Sequence, residues 1–331
     1  MSTLAPMIEA FFTDRLQQQR HASPNTIEAY RDSFRLLLTF AKDDVRKAPS
    51  ELALTDLDAP FIVRFLAHLE KKRGNSIASR NARLAAVHSF FRFIALREPA
   101  HAGLIQRVLA IPRKRTEKKL VAFLTRPEFE AILASPDQAT VLGRRDYALL
   151  FLAIQTGLRV SEITALKLED VRLTRGAAHV RCRGKGRKER TTPLTAQTVK
   201  ALRAYLHDRD DAAPTSPLFL SRRRGPMSRD AVEHLVEVHR VRAVKSCPSL
   251  AGKTISPHVL RHTSAMLLLH AGTDRSTIAL WLGHESIETT ELYLHADLAT
   301  KERAIAKTAP PRTRQARYRP SDALLGFLQA L

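Results

Sequence analysis

From its start the chain reads as stretches in which apolar residues recur every third or fourth position, separated by short polar interruptions. After Ser23-Pro24, a cap followed by proline in the first turn, Ile27, Tyr30, Phe34, Leu37 and Leu38 fall on one helical face. Asp58-Ala59-Pro60 opens a second helix carrying Ile62, Phe65, Leu66 and Leu69. It closes on Lys71-Lys72-Arg73-Gly74, cations beside the carbonyl end and then a glycine free to turn. A third helix begins near Ser76 and lines up Leu84, Val87, Phe91 and Ile94, leaving Arg80, Arg83 and Arg92 off the stripe. The pattern predicts a small helical domain with basic faces over residues 1–106.

The periodicity then lapses. Between Arg107 and Lys119 there are six basic residues and one acidic, with Pro112 breaking any helix, so 107–121 reads as a basic linker. Such a run is a solvated hinge or, between two basic domains, a track for a phosphate backbone. A second domain over 122–301 starts at Thr125-Arg126-Pro127-Glu128, the spacing of a capping box. A buried helix is predicted from Arg145 to Gln155, stopped by Thr156-Gly157, and another from Glu162 towards Leu168. His179 to Leu194 instead alternates around Gly184-Lys185-Gly186, as a β-hairpin with a basic tip does. Helical spacing returns over Thr198–His207, Arg229–Lys245, Pro257–His270, Asp274–Leu282 and Glu288–Leu298. A basic tail, 302–331, ends in the short apolar helix Ala323-Leu324-Leu325-Gly326-Phe327-Leu328.

Composition narrows the class of partner. The 331 residues suit two domains, each able to bury a core. A hydrophobic share of 44% with 26% charged residues is ordinary for globular chains and excludes disorder throughout. Cys182 and Cys247 are the only cysteines, which excludes a disulfide scaffold and zinc-finger spacing. Apolar runs such as Tyr147–Ile154 are too short to cross a bilayer, and the first residues lack a secretory pattern, so a reducing cytosol is the expected compartment. Against this plain background stand 54 Lys plus Arg and 33 Asp plus Glu, a net charge of +21. For a cytosolic protein that surplus points to nucleic acid before membrane.

Five places in the second domain carry candidate chemistry: Thr156-Gly157-Leu158-Arg159-Val160-Ser161-Glu162, Gly184-Lys185-Gly186, His258-Val259-Leu260-Arg261-His262, Leu282-Gly283-His284, and Tyr293. Singly, each has an ordinary explanation. Arg159 follows a helix end, Lys185 sits on a turn, His284 follows a glycine, and one tyrosine on an amphipathic helix usually packs. His258 and His262 have the spacing of a metal pair, but the glutamate of an HExxH motif and a third ligand are missing, so no metal is expected.

In order and spacing, the five resemble the tyrosine recombinases, the phage-integrase family that includes the Xer-type resolvases. The pattern R…K…H-x-x-R…H…Y is complete, and the flanking words TGLRVSE, GKGRKER, HVLRHTSA and LGH also match. The resemblance is strong from Phe123 to Ala299 and looser in the first domain, through Asn25-Thr26-Ile27 and Phe90-Phe91-Arg92-Phe93. It implies a mainly α fold with a small antiparallel β-sheet. A helical, SAM-like core-binding domain and a catalytic domain would form a C-shaped clamp on DNA.

The resemblance also assigns roles that suit the residue types. Arg159 and Arg261 would clamp the non-bridging oxygens of the scissile phosphate, a bidentate task lysine cannot reproduce. His284 would add a donor, and Tyr293 would be the nucleophile, leaving a 3′-phosphotyrosyl link. His258 would take the tyrosine proton, and Lys185 would protonate the leaving 5′-oxygen. Glu162 would orient its neighbours, with His262 behind the reacting groups. With side chains supplying the positive charge, no cofactor or metal is expected. Phosphate contacts are expected from Arg80, Arg83, Arg113, Lys114, Arg115, Arg181, Arg183, Arg187, Lys188, Arg222, Arg223 and Arg224.

The expected partner is double-stranded DNA carrying specific recombination sites, bound by a tetramer that includes either one kind of subunit or related recombinase subunits. The expected activity is site-specific strand cleavage and rejoining through a Holliday junction, in the service of a mobile element. Chromosome-dimer resolution, type IB topoisomerase-like relaxation and a non-catalytic DNA-binding accessory role stay open as alternatives.

Overall fold

The computed structural model describes residues 3–116, 121–174, 176–184, 189–207, 209 and 213–283. It divides into two compact units, 1–118 and 119–331, and the described part is mostly helical with one small sheet. Among the described residues no helix is long and apolar enough to cross a membrane.

Among its described residues the first unit is helical, apart from an isolated bridge between Thr3 and Ala53. Helix α1, Leu4–Ala10, continues in wider π-helical turns over Phe11–Gln19. It is followed by α2 (Pro24–Val45), α3 (Ala59–Lys71), α4 (Ile77–Ile94) and α5 (Ala102–Leu109). The three expected starts are capped as their sequences suggest: Ser23, Asp58 and Ser76 accept the backbone N–H of Thr26, Phe61 and Ser79. Phenylalanines fill the centre. Phe90 meets Phe11 edge-on at 5.6 Å and Phe34 at 5.4 Å between ring centroids.

Two features of this unit were not foreseen. The helical stretch Leu4–Gln19 delivers Leu4, Phe11 and Leu16 to the core. The segment read as linker from Arg107 stays helical to Leu109 and buries Val108 and Ile111 against the same core. The expectation that Arg80 stands free for DNA is corrected. Its guanidinium is buried and donates to the Pro112 carbonyl at 3.1 Å and to Asn81 Oδ1 at 3.0 Å. Asn81 in turn holds the backbone of Lys114 in both directions, at 2.8 and 3.1 Å. The polar face of α4 at this point is therefore a seat for residues 112–114. Arg80 lies off the apolar stripe because the chain folds back over it.

The second unit opens with α6 (Arg126–Ala134), whose Glu128 reaches back to the Thr125 N–H at 2.9 Å. Helix α7 (Val141–Thr156) is its centre, with Leu149, Leu150 and Leu152 fully buried, and it packs against α9 (Ala196–Leu206) and α11 (Pro257–His270). The short α8 (Val160–Ala165) leads to an antiparallel sheet of β1 (Val171–Arg172), β2 (His179–Arg183) and β3 (Glu189–Pro193) in the order β1-β2-β3. The hairpin is as expected and β1 is an addition to it. Its register sets Cys182 opposite Arg190. Helices α10 (Arg229–Ala243) and α12 (Arg275–Leu282) complete the described part. The predicted helix at Glu288–Leu298, the basic tail and the apolar helix at Ala323–Leu328 lie outside the described residues.

Candidate active site

Three turns of the second unit converge. The first is the end of α7, where Gly157 takes φ 63° and a side chain would collide with Leu282 Cδ2 at 2.4 Å. The second is the end of α12, where Gly283 has φ 65° and a Cβ would lie 2.6 Å from Arg190 Nη1. The third is the start of α11, whose first two turns carry His258, Arg261 and His262 on the face expected from their spacing. The two glycines let the turns approach closely enough for side chains to grip backbone.

Arg261, only 2% exposed, does much of that gripping. Its fork donates to the carbonyl of Gly157 at 2.6 Å and to that of Leu282 at 2.7 Å. Arg159 takes the next carbonyl along, donating from Nη2 to Gly283 at 3.1 Å. Two guanidiniums thus hold consecutive peptide groups immediately before His284. Arg159 is also anchored from behind: Glu162 accepts its backbone N–H at 2.7 Å and its Nη1 at 2.9 Å. Its side chain remains about one-third exposed, at 34%, so it is held and open at once.

Glu162 is almost fully buried and is shared with a residue to which the sequence pattern assigns no role. Arg190, on β3, places Nη1 on one carboxylate oxygen at 3.0 Å and Nη2 on the other at 2.8 Å. Burial alone would raise the Glu162 pKa, but these bonds, the Arg159 N–H and the two positive charges lower it below the usual carboxylate value. A signal for Arg190 exists in the sequence. Along β2 and β3 the inward positions are Val180, Cys182 and Thr192, and alternation puts Arg190 on that face. A charged residue at an inward strand position needs a buried partner.

The histidines stand in a field of like charge. The rings of His258 and His262 meet edge-on, 4.5 Å apart. Burial, then Arg261 and Arg159, lowers the His258 pKa; burial, then His258 and Arg261, brings that of His262 down to about 4. Both imidazoles are therefore neutral near pH 7. Cys182, across the ladder from Arg190, is buried and its thiol is pushed up to about 11, so it stays protonated there.

The structure therefore brings Arg159, Glu162, His258, Arg261 and His262 together, while Lys185, Arg187, Lys188, His284 and Tyr293 lie outside the described residues. Among the expected phosphate contacts, Arg113 and Arg115 are exposed, as are Arg222, Arg223 and Arg224 in a turn closed by Ser221 and Gly225. Arg183 is exposed beside Glu189 at 2.7 Å, and Lys114 reaches Glu70 at 2.8 Å. Arg181 stands 3.9 Å from Asp170, and Arg83 lies part-buried with Nη1 at 3.5 Å from Ser33.

Comparison with known proteins places the whole chain. Residues 122–299 match the model of the phage integrase family, and residues 8–98 match the phage integrase N-terminal SAM-like domain. A Sinorhizobium fredii protein carrying the name integrase/recombinase y4rC is 53% identical over 330 residues, covering 100% of this chain and 99% of its own. The tyrosine recombinase XerC of Pelobacter propionicus is 34% identical over 300 residues, 90% of this chain and 93% of its own. The fold is also that of the transposon Tn1549 integrase solved with a circular intermediate DNA. That likeness has a TM-score of 0.68 at 18% identity, over 90% of this chain and 98% of the other.

Proposed function

Because the chain belongs to the phage integrase family of tyrosine recombinases, enzymes that cleave and rejoin DNA, we propose that it acts at specific recombination sites through a 3′-phosphotyrosyl intermediate. The observation that supports this most is the pair of guanidiniums, Arg159 and Arg261, on the consecutive carbonyls of Leu282 and Gly283. A phosphoryl group seated there meets preorganised positive charge where its own charge develops. In this reading Tyr293 attacks phosphorus and the bond to the 5′-oxygen breaks. Neutral His258 accepts the phenolic proton, Lys185 protonates the departing oxygen, and His284 donates to a non-bridging oxygen. Rejoining runs the same steps backwards with the 5′-hydroxyl of another strand.

The helical first unit and the basic segment after it hold the duplex on this reading, with Arg113, Arg115 and Arg222–Arg224 as phosphate contacts. Strand exchange needs two cleaved duplexes, hence four protomers on paired sites. Within this class we place the work on a mobile element, supported by the seven basic residues between Lys301 and Arg319 and by the fold shared with a transposon integrase.

The test lets the protein select its own target. The protein is incubated with nicked duplexes carrying a randomised core, and adducts that survive detergent are captured and sequenced. The wild-type chain enriches an inverted-repeat sequence bound covalently, and Tyr293→Phe, still binding that sequence, yields no adduct. An adduct persisting in Tyr293→Phe removes that tyrosine as nucleophile. Relaxation of any supercoiled plasmid, with nothing enriched, turns the reading to a topoisomerase.

A further inference from the structure

Arg190, its side chain 12% exposed, is the one cation of the site, among the described residues, to which the proposed chemistry gives no task. Four hydrogen bonds converge on Glu162: two from Arg190, one from the Arg159 N–H and one from Arg159 Nη1. A carboxylate offers about four lone-pair sites, so this one is full. Arg159 therefore meets Glu162 through a single guanidinium nitrogen and keeps the rest of its fork clear of it. Arg190 also lies against the turn at Gly283, the residue whose carbonyl Arg159 holds.

We propose that Arg190 is a positioning residue: by saturating Glu162 it keeps the Arg159 fork available to the scissile phosphate and fixes that clamp to the strand that follows Lys185. The inference rests on the recombinase reading above. Its physical core is competition for one buried carboxylate. Without Arg190, two acceptor sites on Glu162 open, and Arg159 is the guanidinium already in contact to fill them. A bidentate Arg159–Glu162 pair turns the fork inward, away from the phosphate.

Single-turnover cleavage of the captured duplex, with enzyme in excess, tests this in Arg190→Gln and Arg190→Lys. Arg190→Gln is expected to lower the cleavage rate constant about 100-fold, the scale of a small misplacement of a clamp, with duplex affinity unchanged. Arg190→Lys, which keeps charge and most of the volume, recovers only part, because an ammonium cannot cover both oxygens. Losing the Arg190 bonds also raises the Glu162 pKa, so the deficit of Arg190→Gln relative to the wild type narrows on acidification, as protonation takes Glu162 out of the competition. Adding Glu162→Gln to Arg190→Gln removes the competitor for Arg159, so the double variant is no slower than Arg190→Gln alone.

A wild-type rate in Arg190→Gln, complete recovery by lysine, or additive losses in the double variant overturns the proposal. One readout is independent of DNA: the Glu162 carboxyl, followed by carbon NMR, titrates higher in Arg190→Gln and Arg190→Lys than in the wild type. No shift there overturns the coupling even in a chain that cleaves nothing. A wild type that forms no adduct, with the shift present, counts against the recombinase reading alone.

Discussion

Both units bury an apolar core, but they differ in how much charge they bury with it: Arg80 and His88 in the described part of the first, and more in the second. The centre of the first is a cluster of rings, Phe11, Phe34 and Phe90, and its acidic residues pair near the surface, as Asp56 does with Lys47. The second buries Glu128, Glu162, Arg145, His239 and Arg261. Each of these has partners. Glu128 receives Lys253 and Ser249, both at 2.7 Å, Arg145 forks onto Asp146 at 2.7 and 2.8 Å, and His239 donates to Asp146 at 3.1 Å. Ion pairs of this kind rarely add net stability over a well-packed apolar core, because taking the charges out of water is so costly. The difference therefore divides the labour. The first unit is held by packing and leaves most of its charge outside. The second keeps charge inside, and at Glu162 that charge backs the cations of the site.

The largest effect that can break this comparison is a cavity in the first unit. Phe90→Ala removes a fully buried ring that touches Phe11, Phe34 and Phe91, and should cost about 3–5 kcal/mol. Hydrogen exchange separates the units: protection falls in α2 and α4 and stays unchanged in α7. A loss below about 1 kcal/mol would mean that the ring cluster is not what holds this unit.

Next in size is the loss of a buried charge from the second unit. Glu128→Gln removes the carboxylate that Lys253, the Thr125 N–H and Ser249 hold against burial, and should cost about 1.5–3 kcal/mol near neutral pH. The sign with pH follows from the direction of the shift. Burial raises this carboxyl, but its hydrogen bonds bring it from 4.5 to about 2, so its stabilisation is complete above 4.5 and lost as pH falls towards 2. Urea midpoints of variant and wild type therefore differ most at neutral pH and approach one another on acidification. A gap that does not change with pH would show that Glu128 acts by shape and not by charge.

How much of this was legible in the sequence follows from where each interaction closes. Caps close within three residues, so Ser23, Asp58 and Ser76 marked their helices correctly. The stretch Leu4–Gln19 carries its stripe openly, Leu4, Met7, Ile8, Phe11, Phe12 and Leu16, but what no spacing shows is the widening of its second half into π-helical turns. Arg159 and Arg261 stood out because their neighbours form recognisable words. Arg190 stood inside such a word, yet its meaning lies in a contact with Glu162, 28 residues away. Arg80 misled for the same reason. Off-stripe arginines usually face solvent, and only the tertiary fold shows residues 112–114 crossing above this one.

The smallest effect sharpens the comparison most finely, because it repeats the removal of a lysine–carboxylate pair where water is near. Lys47 reaches both oxygens of Asp56, at 2.8 and 2.9 Å, with side-chain exposures of 45% and 15%. Asp56 also accepts the Ala53 N–H at 2.9 Å, which closes its short turn and survives loss of the lysine. Lys47→Ala should therefore cost no more than about 1 kcal/mol, and less as added salt screens the pair. The Asp56 carboxyl, which burial raises but the lysine and the Ala53 N–H lower further, contributes above its ordinary 3.8 and ceases to as pH falls below that value. The counterpart in the second unit is Lys253, whose partner Glu128 has a side chain only 3% exposed. Removing that lysine leaves a carboxylate with little water to replace it, so Lys253→Ala must cost more than Lys47→Ala, with little response to salt. Equal losses, or equal salt dependence, in hydrogen exchange of the two units would mean that burial of charge does not distinguish them.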